Sequence, residues 1–167
     1  MLIIWGMHFR CCVLLILTAF AGSAAEPPKQ FVGTWRLSSW TLRYADGTSR
    51  PDPKTVAYLI YSDVGRMCYV SMNPNRPKWN SEWTPTAEEA ISGVTGLGAY
   101  CAAVEVHEKE GFVIHHVDVE RAPNVVGRNR KRWFKFDGPN RLTLRVDSPE
   151  LAPGVVESTL VWERVTK

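Results

Sequence analysis

The sequence predicts an all-β domain: an eight-stranded, up-and-down antiparallel barrel with one short helix in a long loop after the third strand. Three observations predict it. Apolar and polar residues alternate with period two along most of the chain, helical periodicity occurs once, and the connections between alternating runs are short and rich in Gly, Asp, Asn and Pro. Short turns of this kind join antiparallel neighbours, and eight such strands are the number that closes around side chains or one small ligand. Closure also removes exposed sheet edges.

In chain order, the first segment is a leader. Arg10 is followed by the apolar run Cys11 to Phe20 and then by the small residues Ala21-Gly-Ser-Ala-Ala25. That order predicts a cleavable signal peptide over residues 1–25, with the domain at 26–167, an exported product that is periplasmic or secreted, and no stable membrane insertion after cleavage. A retained anchor is the alternative, but the run falls short of the roughly 20 apolar residues that span a bilayer.

Strands are expected at Val32–Tyr44, Val56–Ser62, Arg66–Met72, Ala99–His107, Phe112–Val119, Arg130–Phe136, Arg141–Val146 and Val155–Val165. Ala45-Asp-Gly47, Ser62 to Gly65, Glu108 to Gly111, Asp137 to Asn140 and Pro149 to Gly154 supply the turns. Between Asn73 and Gly98 the meander breaks. Pro74 and Pro77 forbid regular pairing, and Thr84-Pro85 is read as N-cap and first-turn proline of a helix over Ala87–Val94. A loop this long reads as a lid or mouth element.

Composition excludes more than it selects. The chain has 167 residues with 20 Lys+Arg against 17 Asp+Glu; without Arg10 the balance is 19 against 17, a net charge of +2. No nucleic-acid partner is expected, because the basic cluster Arg128-Asn-Arg-Lys-Arg132 runs into aromatic residues and reads as a strand with a solvated face. No nucleophile elbow or phosphate loop occurs, and His115 and His116, adjacent on a strand, point to opposite faces, so neither a metal nor a cofactor is predicted.

The opening Phe31-Val-Gly-Thr-Trp-Arg-Leu37 with Ser39-Trp-Thr-Leu-Arg-Tyr44, then Tyr58 to Met67, Met72-Asn-Pro-Asn-Arg-Pro77, His115-His116-Val117 and Ser158 to Arg164, resemble in order the lipocalin-like domain family. These are small bacterial and fungal barrels distantly related to the lipocalins. The resemblance covers nearly all of the chain after the leader. It implies that Trp35 closes the barrel floor, that Arg164 packs across its ring and that Gly33 lets the first strand bend, all structural roles. Cys68 and Cys101 depart from the family pattern. A disulfide between them requires that their strands be neighbours and that both face outward; two free thiols are the alternative.

Alternation assigns the lumen. Leu142, Leu144 and Val146 share a face, as do Leu160, Trp162 and Arg164, and Phe134 and Phe136 bring Arg132 inward. Val113, Val117 and Val119 bring His115; Tyr100 aligns with Ala102, Val104 and Val106; Ser39 is a further inward candidate. The pattern reads as apolar walls with a few polar points. The ligand-binding residues expected are Tyr100, His115, Arg132 and Phe134, with Trp79 and Asn73 at the mouth. A carboxylate or enolate would suit Arg132, although Glu105 or Glu120 could neutralise it instead.

Two functional readings follow. In the first, an exported barrel binds a small, largely apolar molecule, with room for an anionic group. In the second, an isomerase, cyclase or hydrolase works on a polyketide-like or terpenoid substrate in the same pocket, with His115 as acid or base and Arg132 stabilising an oxyanion. A filled barrel acting through its surface is a third, blander alternative.

Overall fold

The computed structural model describes residues 28–52, 55–147 and 151–166; the expected leader lies outside the described residues. The alternating runs form strands β1 (Gly33–Tyr44), β3 (Val56–Tyr61), β4 (Arg66–Met72), β5 (Leu97–His107), β6 (Phe112–Glu120), β7 (Asn129–Phe136), β8 (Arg141–Asp147) and β9 (Val155–Arg164). Each pairs antiparallel with the next, and β1 also pairs with β9, which closes an eight-stranded barrel. A ninth, three-residue strand, β2 (Ser49–Pro51), extends β1 as a hairpin outside the ring. It is too short to show alternation.

The tight turns gather at one end of the barrel and the longer connections at the other. At the mouth end α1 (Ala87–Thr95) lies between β4 and β5, the place expected for the helix. Its N-cap is Thr86 and not Thr84. Glu89 accepts from the Thr86 backbone N–H at 2.8 Å while Thr86 Oγ1 accepts from the Glu89 N–H at 3.3 Å, a reciprocal pair that outcompetes Thr84-Pro85 as the helix start.

The closed end is solid. Phe31 stands edge-on to Tyr61, Phe134 and Phe136 at centroid distances of 5.1, 4.9 and 4.9 Å, above the fully buried Trp35, whose Nε1–H donates to the Phe31 carbonyl at 2.8 Å. Burial of each such large side chain contributes about 1.5–3 kcal/mol. Gly33 has φ +138°, and a Cβ there would come within 2.5 Å of Arg164 Nη1. It is therefore needed for clearance beneath that guanidinium as well as for backbone conformation.

Two β-bulges reverse side-chain directions expected from strict alternation. In β6 the register passes from Ala102↔Val117 to Cys101↔Val119, leaving Asp118 as the extra residue, whose carboxylate pairs with Arg66 outside the barrel. Val119 is consequently turned out, 60% exposed, and Glu120 is turned in opposite Tyr100. In β1 the shift between Leu37 and Ser39 leaves Ser38 extra, so Ser39 faces solvent and Trp40 faces inward. The other inward sets follow their strands, with Leu142, Leu144, Val146, Leu160 and Trp162 all buried.

Candidate functional site

Directly above the packed floor, the fully buried His115 joins two tyrosines across the lumen. Tyr61 Oη lies 2.9 Å from its Nε2 and Tyr100 Oη 2.9 Å from its Nδ1. Burial, reinforced by the cations Arg132 and Arg130, holds the imidazole well below its ordinary pKa, so it is neutral. Burial likewise raises both phenols, well above the ordinary value for Tyr61. A neutral imidazole has one N–H and one lone pair, so one phenol donates to the ring and the other accepts from it. Both nitrogens are thereby occupied.

Towards the mouth the lumen opens into a chamber of about 180 Å³. Its apolar wall is Leu59, Leu144, Val146, Leu151 and Leu160 with the rings of Trp40, Tyr69 and Trp162; Arg130, Arg132, Tyr100 and Ser158 supply the polar points. Alternation along β7 brings the two arginines to one face. Arg132, 9% exposed, donates through Nη1 to the Lys131 carbonyl at 2.7 Å. Arg130 lies 4.7 Å from the Tyr100 ring centre and pairs with Glu120, Nη2 to Oε2, at 2.9 Å. Glu105 stays outside, bonded to His107 and His116 at 2.6 and 2.8 Å. Trp40 Nε1 donates to Ser158 Oγ at 2.8 Å, whereas the buried Trp162 Nε1 has no acceptor among the described residues.

The expected site residues are thus divided among three places. Tyr100 and Arg132 line the chamber; His115 lies behind Tyr100; Phe134 belongs to the aromatic floor. Trp79 and Asn73 are at the rim. Trp79, 41% exposed, lies against α1 where Gly93 leaves no room for a Cβ, and Asn73 donates its N–H to the Gly96 carbonyl at 2.9 Å. Asn73 also lines an outer hollow that shares Trp40 with the chamber. Arg130 is additional. It is legible from its two-residue spacing to Arg132; Glu120, expected as a possible counter-ion of Arg132, is turned inward by the bulge at Asp118 and pairs with Arg130.

Cys68 and Cys101 are directly opposed on β4 and β5, both on the outer face, and are joined by a disulfide with Cα atoms 4.1 Å apart. Among the described residues, no group of three or more His, Cys, Asp or Glu is placed to hold a metal ion, and no helix is long and apolar enough to cross a membrane.

None of the curated proteins compared with the chain matches it. The family model of the lipocalin-like domain matches residues 32–165, from the entrance of β1 to just beyond the end of β9. With the closed eight-stranded meander, the solid floor at Trp35 and the open chamber above it, the match establishes that this chain belongs to the lipocalin-like domain family.

Proposed function

We propose that this protein is an exported barrel that binds a small, largely apolar molecule in the chamber between Leu59 and Trp162. The observation that carries the reading is the change in the lumen along its length. The lower half is filled by interlocking aromatic rings, while the upper half leaves about 180 Å³ walled by apolar and aromatic side chains and touched by four polar residues. Protein interiors are close-packed, so a hollow of this size, lined in this way, is the usual form of a binding site. Export is supported by the leader pattern of residues 1–25 and by the cross-strand disulfide, which persists in oxidising compartments.

Tyr100 and Arg132 would orient the ligand and Trp40 and Trp162 would stack on it, with α1 and Trp79 at the rim. His115 would hold Tyr100 in place from behind. The catalytic alternative gains nothing from this geometry, because His115 has both nitrogens engaged and does not line the chamber.

The test is a tryptophan-fluorescence titration of the purified protein with naphthalene-2-carboxamide, a flat neutral probe. Saturable quenching is expected, and Leu144→Trp, which fills the chamber from β8, should abolish it. Absence of quenching, or quenching unchanged in Leu144→Trp, would overturn the reading.

A further inference from the structure

Three tryptophans turn inward from β1 and β9, and their indole N–H groups are served differently. Trp35 Nε1 donates to the Phe31 carbonyl and Trp40 Nε1 to Ser158 Oγ, each at 2.8 Å. Trp162 Nε1 is buried as well, yet it meets no acceptor among the described residues. Its side chain forms part of the chamber wall and is 1% exposed.

An unmet donor at such a place is unfavourable, because the N–H gives up its hydrogen bond to water on folding and gains none in return. Buried indoles ordinarily find a partner, and phenylalanine would line an apolar wall without that cost. The composition of the described wall explains why the protein supplies none. Its aliphatic side chains have no acceptor, and Arg130 and Arg132 carry donors only. The hydroxyls of Tyr100, Tyr69 and Ser158 are already engaged, with His115, Ser71 and Trp40. The lining therefore offers N–H groups to the chamber while its own oxygens are occupied.

Resting on the chamber reading above, we propose that the ligand is a neutral, apolar carbonyl compound, such as a ketone, whose oxygen accepts the hydrogen bond of Trp162 Nε1. The hydrocarbon body fills the chamber, and the carbonyl projects from it to the edge of the indole, where the N–H lies. A carbonyl is a strong acceptor without charge, so it satisfies the donor without bringing an ion against an apolar wall. Trp162 is then a specificity-determining residue as well as a wall. A site with a buried donor discriminates sharply against an analogue that lacks the acceptor, because that analogue leaves the donor unpaired, whereas an apolar pocket alone tolerates small changes in its ligand.

The test compares 2-acetylnaphthalene with 2-isopropenylnaphthalene, in which a methylene replaces the carbonyl oxygen and the shape is kept. By tryptophan quenching, wild type should bind the ketone about five- to tenfold more tightly, the worth of one buried hydrogen bond. In Trp162→Phe that preference should vanish. A second measurement needs no variant: in proton–nitrogen correlation spectra of wild type, the Trp162 indole proton should move downfield with the ketone and not with the hydrocarbon, and it decides alone if Trp162→Phe does not fold. Equal affinities in wild type, a preference that persists in Trp162→Phe, or an indole proton that responds alike to both probes would overturn the carbonyl assignment, while the chamber reading stood on the binding itself. Failure of both probes and of the carboxamide to bind would remove the chamber reading and this one with it.

Discussion

The guanidinium of Arg164 lies 4.1 Å from the centre of the Trp35 ring, and its three nitrogens donate to three different carbonyls: Nε to Pro139 at 2.9 Å, Nη1 to Val32 at 2.6 Å and Nη2 to Gln30 at 2.7 Å. One residue near the end of β9 thus ties together the start of β1, the segment before it and the β7–β8 turn. A lysine could keep the charge but could not stack flat on the indole and reach all three acceptors. Arg164→Lys is therefore expected to cost about 1–2 kcal/mol, and Gly33→Ala about 2 kcal/mol or more, since it adds strain at φ +138° and a clash with the same guanidinium. Urea unfolding followed by tryptophan fluorescence measures both. A Gly33→Ala variant as stable as wild type would mean that the guanidinium can move aside freely.

The disulfide gives a second prediction. Cys68 and Cys101 are 33 residues apart, and the loop between them contains α1 and the mouth segment. Closing a loop of that length restricts the unfolded chain by about 3–4 kcal/mol in the chain-entropy account. Replacing both cysteines with alanine should lower unfolding free energy by about 2–4 kcal/mol while leaving the far-ultraviolet spectrum unchanged, because the β4–β5 ladder already holds the strands together. A loss well below that range would place residual structure in the unfolded loop.

His115 sets a pH dependence whose sign can be worked out. Folded, its pKa lies well below 6.5 because burial and then the Arg132 charge oppose protonation; unfolded, it titrates near the ordinary value. Between those two values the unfolded state binds the extra proton, so stability falls as pH falls from about 6.5 towards the depressed folded value, by at most about 1.4 kcal/mol per pH unit. Above 6.5 this contribution is flat. His115→Phe should remove the slope. It should also cost about 1–3 kcal/mol throughout, since Tyr61 and Tyr100 each lose a buried partner. Chemical unfolding at a series of pH values checks both parts, and a slope that survives the substitution would assign the titration elsewhere.

The sequence was most legible where strands run without interruption. On β8 and β9 the apolar positions Leu142, Leu144, Val146, Leu160 and Trp162 fall two apart and all point inward, so periodicity alone located them. It failed at Val119 and Ser39 for one physical reason. A bulge adds a residue to one strand, and every side chain beyond it changes face, yet nothing about Asp118 or Ser38 marks the place locally. The helix start is a different case, since Thr86-Ala-Glu-Glu89 is a capping box readable from residues alone, and it overrides the proline signal after Thr84. Tyr61 was also within reach, because it shares a face with Ala57 and Leu59.

The bulge at Asp118 has a chemical effect as well as a geometric one, because it is what brings the Glu120 carboxylate inside against Arg130. An internal carboxylate there both stabilises the guanidinium and competes with any acidic ligand for it. Glu120→Gln separates the two effects. Breaking the pair leaves Arg130 partly buried without its counter-ion, and since that side chain keeps 26% of its exposure the cost should be about 1–2 kcal/mol, below that of a fully buried pair. The same variant should bind naphthalene-2-carboxylate several-fold more tightly, because the guanidinium no longer has to leave one anion to meet another, with little change for the neutral amide. Paired urea and fluorescence titrations read both quantities on one preparation. A variant that is less stable and also binds the carboxylate no better would make Glu120 a support for the wall and not a rival for its charge.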